Sequence, residues 1–189
     1  MEIPREVADD PDPLSVFRFS AMFGESVSAL VNKALTEFEV SATESATPTP
    51  GAAELIRQLK ESGRSLAVVS NNSEQAVKAY LQANELTPYF DYVAGRVSSD
   101  PDLMKPNPHL VHRAMTALQA DAASTALIGD SESDMTVSKT AGILALGYAN
   151  RPEKLTRLHA AGASYIVKPC RSWQSDNAVA GYGWHNALP

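Results

Sequence analysis

The chain has 189 residues, of which 44% are hydrophobic and 20% are charged, and its formal net charge is -6. This length and composition suit a globular fold with a substantial core. The acidic balance, without any stretch that concentrates Lys and Arg, argues against binding to nucleic acid or to an anionic membrane surface. No stretch approaches the roughly 20 apolar residues of a membrane span, and the single cysteine, Cys170, rules out an intramolecular disulfide. We therefore expect a cytoplasmic protein.

Apolar residues at helical spacing dominate the first forty positions. They predict two amphipathic helices, which break near Gly24. Residues 41–51, SATESATPTPG, are rich in Thr and Pro and are typical of a connector. We therefore predict a separate helical segment over residues 1–49.

From Gly51 onward, helical and strand patterns alternate. Strands that are separated by single helices must run parallel, because the helix carries the chain back across the sheet. We predict a doubly wound parallel α/β sheet over residues 50–170 and a tail without regular period over 171–189. Ligands in such sheets bind beyond the carboxyl ends of the strands. The predicted strands are SLAVVS (65–70), YFDYVAG (89–95), STALIG (124–129), ILALGY (143–148) and SYIV (164–167).

Two carboxylates follow the predicted strand within ALIGDSESDM, residues 126–135. Asp130 follows the strand directly and Asp134 lies one helical turn later, so both can face one space. Two carboxylates about 4 Å apart repel each other by about 4 kcal/mol at an effective dielectric constant of about 20. A hard cation such as Mg²⁺ between them would remove this cost. The alternative interpretation is that Asp130 caps the next helix and Asp134 is a first-turn acid favoured by the helix dipole.

Small polar residues and a lysine lie near two other strand ends. Ser70 ends a predicted strand and Asn71 leads into the next helix, where hydroxyl and backbone N–H groups can bind a phosphate oxygen. Lys105, which precedes Pro106 and a helix, would offset phosphoryl charge. Taken singly, Ser70 has a simpler explanation as part of a helix-capping turn, and Lys105 as a solvated turn lysine.

The order of these motifs favours the functional interpretation. A strand-end Ser, a Lys-Pro before a helix and a strand-end GDSESD resemble the haloacid dehalogenase-like superfamily of phosphatases, and more narrowly its phosphoglycolate-phosphatase-like group. The resemblance covers roughly residues 50–168, and residues 13–40 resemble the later part of a helical cap. It implies a small phosphorylated metabolite as substrate and Mg²⁺ as cofactor. The implied residues are Ser70 and Lys105 for catalysis, Ser70, Asn71 and Lys105 for phosphate binding, and Asp130 and Asp134 for the metal.

Members of this family begin with an apolar strand that ends in D-x-D, whose first Asp attacks phosphorus. The sequence has Asp10-Pro11-Asp12, but the residues before it are charged and interrupted by Pro4, which disfavours a buried strand. We therefore expect this strand to be absent, the DPDP sequence to cap the following helix, and catalysis to be impaired. In the family's sheet this strand is central, so its absence would leave an unpaired edge on each of its two neighbours. Three arrangements could close the gap: direct pairing of the neighbours, a strand from the N-terminal residues, or a segment of another chain.

Three hypotheses remain open at this stage. The first is a Mg²⁺-dependent phosphatase whose chain starts downstream of its nucleophile. The second is a working hydrolase that uses Asp10 or Asp12 as an unrecognised nucleophile. The third is a non-catalytic phosphate-binding or assembly module, derived from such a phosphatase, which forms a homodimer through exposed strand edges.

Overall fold

The computed structural model describes residues 3–168. The predicted tail over 171–189 and Cys170 lie outside the described residues. No helix in the described range is long and apolar enough to cross a membrane. The helices are α1 Arg5–Ala8, α2 Leu14–Ser20, α3 Glu25–Thr43, α4 Ala52–Glu61, α5 Glu74–Ala83, α6 His109–Leu118, α7 Glu132–Ala141 and α8 Lys154–Ala160. The strands are β1 Ala67–Ser73, β2 Tyr92–Arg96, β3 Ala126–Gly129, β4 Leu144–Tyr148 and β5 Tyr165–Val167.

The chain divides into two compact units, Met1–Leu118 and Gln119–Pro189. This division lies elsewhere than the boundary near residue 50 that the Thr- and Pro-rich connector predicts, and that boundary stays a prediction.

In the first unit, helices α2 and α3 follow the short helix α1 and confirm the two predicted amphipathic helices. Gly24 separates them with a φ of +94°, a conformation that non-glycine residues rarely adopt. Phe17 of α2 is fully buried and packs in one cluster with Leu35 of α3 and Met104. Part of the predicted apolar face therefore forms this core, whereas Leu30 and Phe38 of the same spacing are exposed.

Strands β1 and β2 form a parallel pair in the first unit. Val69 pairs with Ala94 and Ser73 pairs with Arg96, so four steps along β1 match two steps along β2. The extra length in β1 is a bulge over residues 70–72, which we call the β1 bulge. Bulges redirect side chains and are common beside functional sites. The sequence predicted a strand ending at Ser70 and did not predict the paired continuation to Ser73.

The second unit contains the parallel sheet β3-β4-β5. Its core joins Met135 of α7 and Leu158 of α8 to Ala145 of β4 and to Ala149. The α/β alternation and the parallel strands confirm the predicted fold class.

Strands β1 and β3 each have one hydrogen-bonded neighbour within residues 3–168, namely β2 and β4. Residues 5–8 form a helix, and the described N-terminal residues contain no strand. An N-terminal strand therefore does not fill the expected gap within residues 3–168.

Candidate active site

The β1 bulge has a polar turn at its centre. The Ser70 hydroxyl oxygen accepts a hydrogen bond from the Asn72 backbone N–H at 3.1 Å. Ser73 then caps helix α5, because its hydroxyl oxygen accepts from the Ala76 backbone N–H at 3.2 Å. The capping turn that served as the simpler explanation of Ser70 is thus present, with Ser73 as the N-cap. The Ser70 hydroxyl keeps its own O–H as a donor in this arrangement.

Asn71 joins the β1 bulge to Lys105. The Asn71 Oδ1 accepts from the Lys105 backbone N–H at 2.7 Å, and the Asn71 Nδ2 donates to the Lys105 carbonyl at 3.1 Å. The Lys105 Nζ donates to the Val69 carbonyl at 3.0 Å. Three hydrogen bonds therefore hold Lys105 against the β1 bulge, and Ser70 lies between the two contacted residues in the chain.

Asp134 is held at the end of β3 in the second unit. Its carboxylate oxygen Oδ2 accepts from the Ser131 hydroxyl at 2.6 Å and from the Ser131 backbone N–H at 3.1 Å. The Ser131 hydroxyl in turn accepts from the Asp134 backbone N–H, which completes a capping box at the start of α7. A Cβ on Gly129 would lie 2.4 Å from the Asp134 Cβ, so only glycine permits this close approach.

Asp130 is more exposed and has a different partner. Its Oδ2 accepts from Lys154 Nζ at 2.5 Å, and half of its side chain is accessible. The alternative interpretation, in which Asp130 caps α7, is wrong, because Ser131 is the N-cap. The same alternative placed Asp134 in the first helical turn, and the structure confirms this position.

Comparison with known proteins adds to this geometry. The sequence model of the family described as haloacid dehalogenase-like hydrolase matches residues 16–148, which is more than half of the chain. The chain belongs to this family. Over 119 residues it is 38% identical to a probable phosphatase, IndB, of Dickeya dadantii, covering 62% of this chain and 50% of that protein. Over 132 residues it is 29% identical to a phosphoglycolate phosphatase of Caulobacter vibrioides, covering 68% of this chain and 55% of that protein.

A solved structure shows the same fold. It is a predicted phosphatase from Clostridium acetobutylicum, with a TM-score of 0.68 at 23% identity, covering 84% of this chain and 73% of that chain. The chain spans about half the length of the curated relatives it matches. A phosphatase activity like that named for those whole proteins is therefore a proposal for this chain.

The described part of this haloacid dehalogenase-like chain offers oxygen ligands to a metal at Asp130 and Asp134. Mg²⁺ is commonly bound by one or two carboxylates together with substrate phosphate oxygens, and this donor chemistry fits it. No group of three or more His, Cys, Asp or Glu side chains suited to a metal occurs within residues 3–168. The Mg²⁺ assignment therefore depends on two carboxylates and stays a prediction.

Asp10 and Asp12, the D-x-D pattern considered for the nucleophile, lie at the start of α2. Asp10 accepts from the Ser15 hydroxyl at 2.5 Å and from the Asp12 backbone N–H at 2.8 Å. These two bonds lower the pKa of the Asp10 carboxyl. Asp12 accepts from the Leu14 backbone N–H at 3.0 Å. Asp12 thus binds the first backbone N–H of α2, whereas the N-cap residue is Pro13, which has no side-chain capping bond, so the predicted cap is limited to this one contact.

A second D-x-D pattern, Asp100-Pro101-Asp102, was missed by the sequence reasoning. Asp100 caps the 3-10 helix Pro101–Leu103, and its Oδ1 accepts from the Asp102 backbone N–H at 2.9 Å. This is a turn and not the end of a buried strand, so it does not supply the expected nucleophile.

The structure thus brings Ser70, Asn71 and Lys105 together in the first unit. Asp130 and Asp134 lie at the start of α7 in the second. Sequence reasoning missed Glu39 and Arg96, which bind the β1 bulge. The available signal for Arg96 was a charged residue directly after the apolar run YVAG, but no local pattern linked it to Glu39.

Proposed function

We propose that this chain is a Mg²⁺-dependent phosphatase domain of the haloacid dehalogenase-like family that binds a small phosphomonoester in the cytoplasm. Catalysis by these 189 residues is impaired. The observation that carries the proposal is the set of three hydrogen bonds that holds the Asn71 amide and the Lys105 ammonium at the β1 bulge, which also contains the Ser70 hydroxyl. In a family whose named relatives include phosphatases, this set of donors suits a phosphoryl group.

Each of these side chains has a defined task in the proposal. Ser70 donates its hydroxyl hydrogen to a phosphoryl oxygen. Lys105 supplies positive charge beside the same group, which reduces the cost of the charge that develops during transfer. Asn71 keeps Lys105 next to Ser70, because its side chain accepts from the Lys105 backbone N–H and donates to the Lys105 carbonyl. Asp130 and Asp134 would hold Mg²⁺, which supplies electrostatic stabilisation of phosphoryl oxygens when it is bound.

Impaired turnover is supported by what the described carboxylates already do. Asp10 and Asp12 accept hydrogen bonds at the start of α2, and Asp100 does so in a turn. Nucleophilic catalysis needs a carboxylate aimed at phosphorus, and phosphoryl binding alone does not supply one. A site that binds the phosphoryl group but has no nucleophile would retain affinity for phosphate. It would lose most of the rate of phosphoryl transfer.

Phosphate release with Mg²⁺ and with EDTA tests this function, with phosphoglycolate, pyrophosphate and p-nitrophenyl phosphate as substrates. We expect low turnover, and any genuine turnover should fall about 100-fold or more in Lys105→Met and in Asp130→Asn. Glu54→Gln is the control, because Glu54 forms an exposed ion pair with Arg57 on α4. Turnover that survives both substitutions would not come from the proposed residues and would contradict the assignment.

The single-partnered strands favour a second candidate, an assembly module. Ile128 on β3 is 44% exposed, although large apolar residues of parallel strands are normally covered. An exposed strand edge can pair with the edge of another chain. In this candidate function the chain forms a homodimer through β1 or β3, with or without phosphate binding.

A further inference from the structure

We propose that Glu39 and Arg96 are positioning residues that hold the β1 bulge in the conformation that binds a phosphoryl group. Neither residue was assigned a role by the motifs. The inference rests on the proposed function, because it concerns the same β1 bulge. It adds the two residues that fix the conformation of the bulge. Glu39 lies on α3 and Arg96 ends β2.

Arg96 fixes the middle of the bulge. Its Nε donates to the Asn71 carbonyl at 3.0 Å, and its Nη2 donates to the Glu39 Oε1 at 2.6 Å. The guanidinium carbon lies 5.0 Å from the centre of the Phe17 ring, within cation-π range. Only 2% of the Arg96 side chain is exposed. Asn71 is therefore held through its backbone by Arg96 and through its side chain by Lys105.

Glu39 fixes the far end of the bulge. Its Oε2 accepts from the Ser73 backbone N–H at 2.8 Å while its Oε1 binds Arg96. Only 10% of its side chain is exposed. One carboxylate thus binds both the end of the bulge and the arginine that holds its middle. Without these contacts the Asn71 carbonyl would lose its Arg96 donor and the Ser73 N–H would lose its Glu39 acceptor.

The chemistry of the pair argues for positioning and not only for stability. A buried ion pair is often no more stabilising than apolar residues of the same size. The Nη1 of Arg96 is buried without a hydrogen-bond partner in the described residues, which adds a cost. Apolar residues could not replace two directed hydrogen bonds, from Arg96 Nε to the Asn71 carbonyl and from the Ser73 N–H to Glu39 Oε2. The directed bonds also connect helix α3 to the bulge.

Amide hydrogen exchange without any ligand tests the first half of the proposal. In Glu39→Gln the Ser73 amide should exchange about tenfold faster than in the wild type, because a neutral amide oxygen is a weaker acceptor than a carboxylate. Arg96→Met removes the donor to the Asn71 carbonyl. In this variant the amide hydrogens of Asn72 and Ser73 should exchange faster than in the wild type. The matched control is Asp91→Asn, since Asp91 also pairs with a cation and accepts a backbone N–H, from Leu66, elsewhere in the same unit.

Titration with inorganic phosphate and Mg²⁺, followed by NMR, tests the second half. Both variants should bind phosphate about tenfold more weakly, the equivalent of one lost hydrogen bond, while Asp91→Asn binds as the wild type does. Unchanged exchange at residues 71–73 relative to the control would overturn the inference, as would failure of both variants to fold, since the pair would then serve global stability. If the wild type binds no phosphate, the proposed function fails, and the exchange comparison still decides whether the pair positions the bulge.

Discussion

The side chain of Asn71 imitates a backbone group. It accepts from the N–H and donates to the carbonyl of the same residue, Lys105, much as a neighbouring strand would. Only an amide side chain carries both a donor and an acceptor in this geometry. Asn71 therefore substitutes for ladder pairing at a point where β1 bulges away from β2.

Replacement of Asn71 by Ala should remove two partly buried hydrogen bonds, those to the Lys105 backbone N–H and carbonyl. We expect a loss of about 1–3 kcal/mol in the free energy of unfolding of the first unit. Chemical denaturation followed on NMR resonances of that unit measures it. The matched control is Asn72→Ala, whose side chain is exposed and should cost less than about 0.5 kcal/mol. Equal losses in the two variants would contradict the role given to Asn71.

Gly129 matters because Asp134 lies directly against it. In Gly129→Ala the new Cβ would meet Asp134 atoms at 2.4 Å, so the carboxylate must shift. We expect a loss of about 1–3 kcal/mol, measured by denaturation on resonances of the second unit. Gly147→Ala on the adjacent strand β4 is the control, since its Cβ would meet its nearest neighbour at 3.2 Å. A control as destabilised as Gly129→Ala would show that the Asp134 contact is not the cause.

At the scale of elements, Asp91 connects α4 to the beginnings of both strands of the first unit. It accepts from Lys60 Nζ at 2.6 Å and from the Leu66 backbone N–H at 2.9 Å. These bonds, that from Lys60 first, lower the pKa of the Asp91 carboxyl. A lowered folded-state pKa means that the stabilisation is complete well above the ordinary value of 3.8 and is lost as the pH falls through the folded value.

Asp91→Asn should therefore lower the melting temperature at neutral pH and have little effect in strong acid. The neutral-pH loss should be no more than about 1 kcal/mol, because the ion pair is partly exposed and is screened by solvent. Melting curves of wild type and variant between about pH 7 and pH 2 check this. A difference in melting temperature that grows as the pH falls would have the wrong sign and would refute the explanation.

The elements that could be predicted from the sequence are those fixed by local periodicity. The alternation of helices and strands after Gly51 and the two helices around Gly24 follow from apolar spacing, which each segment carries within itself. The continuation of β1 to Ser73 could not be predicted, because it depends on pairing with Arg96 in another strand. The N-cap at Ser131 was missed because Asp130, one residue earlier, is an equally good capping residue by type.

The candidate site was predictable to a similar extent. Ser70, Asn71 and Lys105 were expected near one sheet edge, and the structure brings these three together within the first unit. The lysine that binds Asp130 was not expected, since Lys154 belongs to a helix well separated in the chain. Roles for all five predicted residues depend on a bound ligand and remain predictions.

For the molecule as a whole, the strands with a single hydrogen-bonded neighbour within residues 3–168, namely β1, β2, β3 and β5, raise the question of self-association. Ile128 is exposed on β3, so Ile128→Lys should weaken a dimer that uses this edge by about tenfold or more, because charged residues block edge pairing. Sedimentation equilibrium over a range of concentrations measures the dissociation constant. Leu30→Lys on α3 is the control, since Leu30 is 70% exposed and belongs to no strand. A wild-type chain that stays monomeric at the highest concentration would exclude the assembly function.

In the proposed function, the β1 bulge and Lys105 bind a phosphoryl group. Titration of the wild-type chain with inorganic phosphate in the presence of Mg²⁺, followed by amide NMR shifts, tests this binding. We expect saturable shifts at Ser70, Asn71 and Asn72, and their loss in Lys105→Met. Absence of saturable shifts at these amides, or shifts that persist unchanged in the variant, would contradict it.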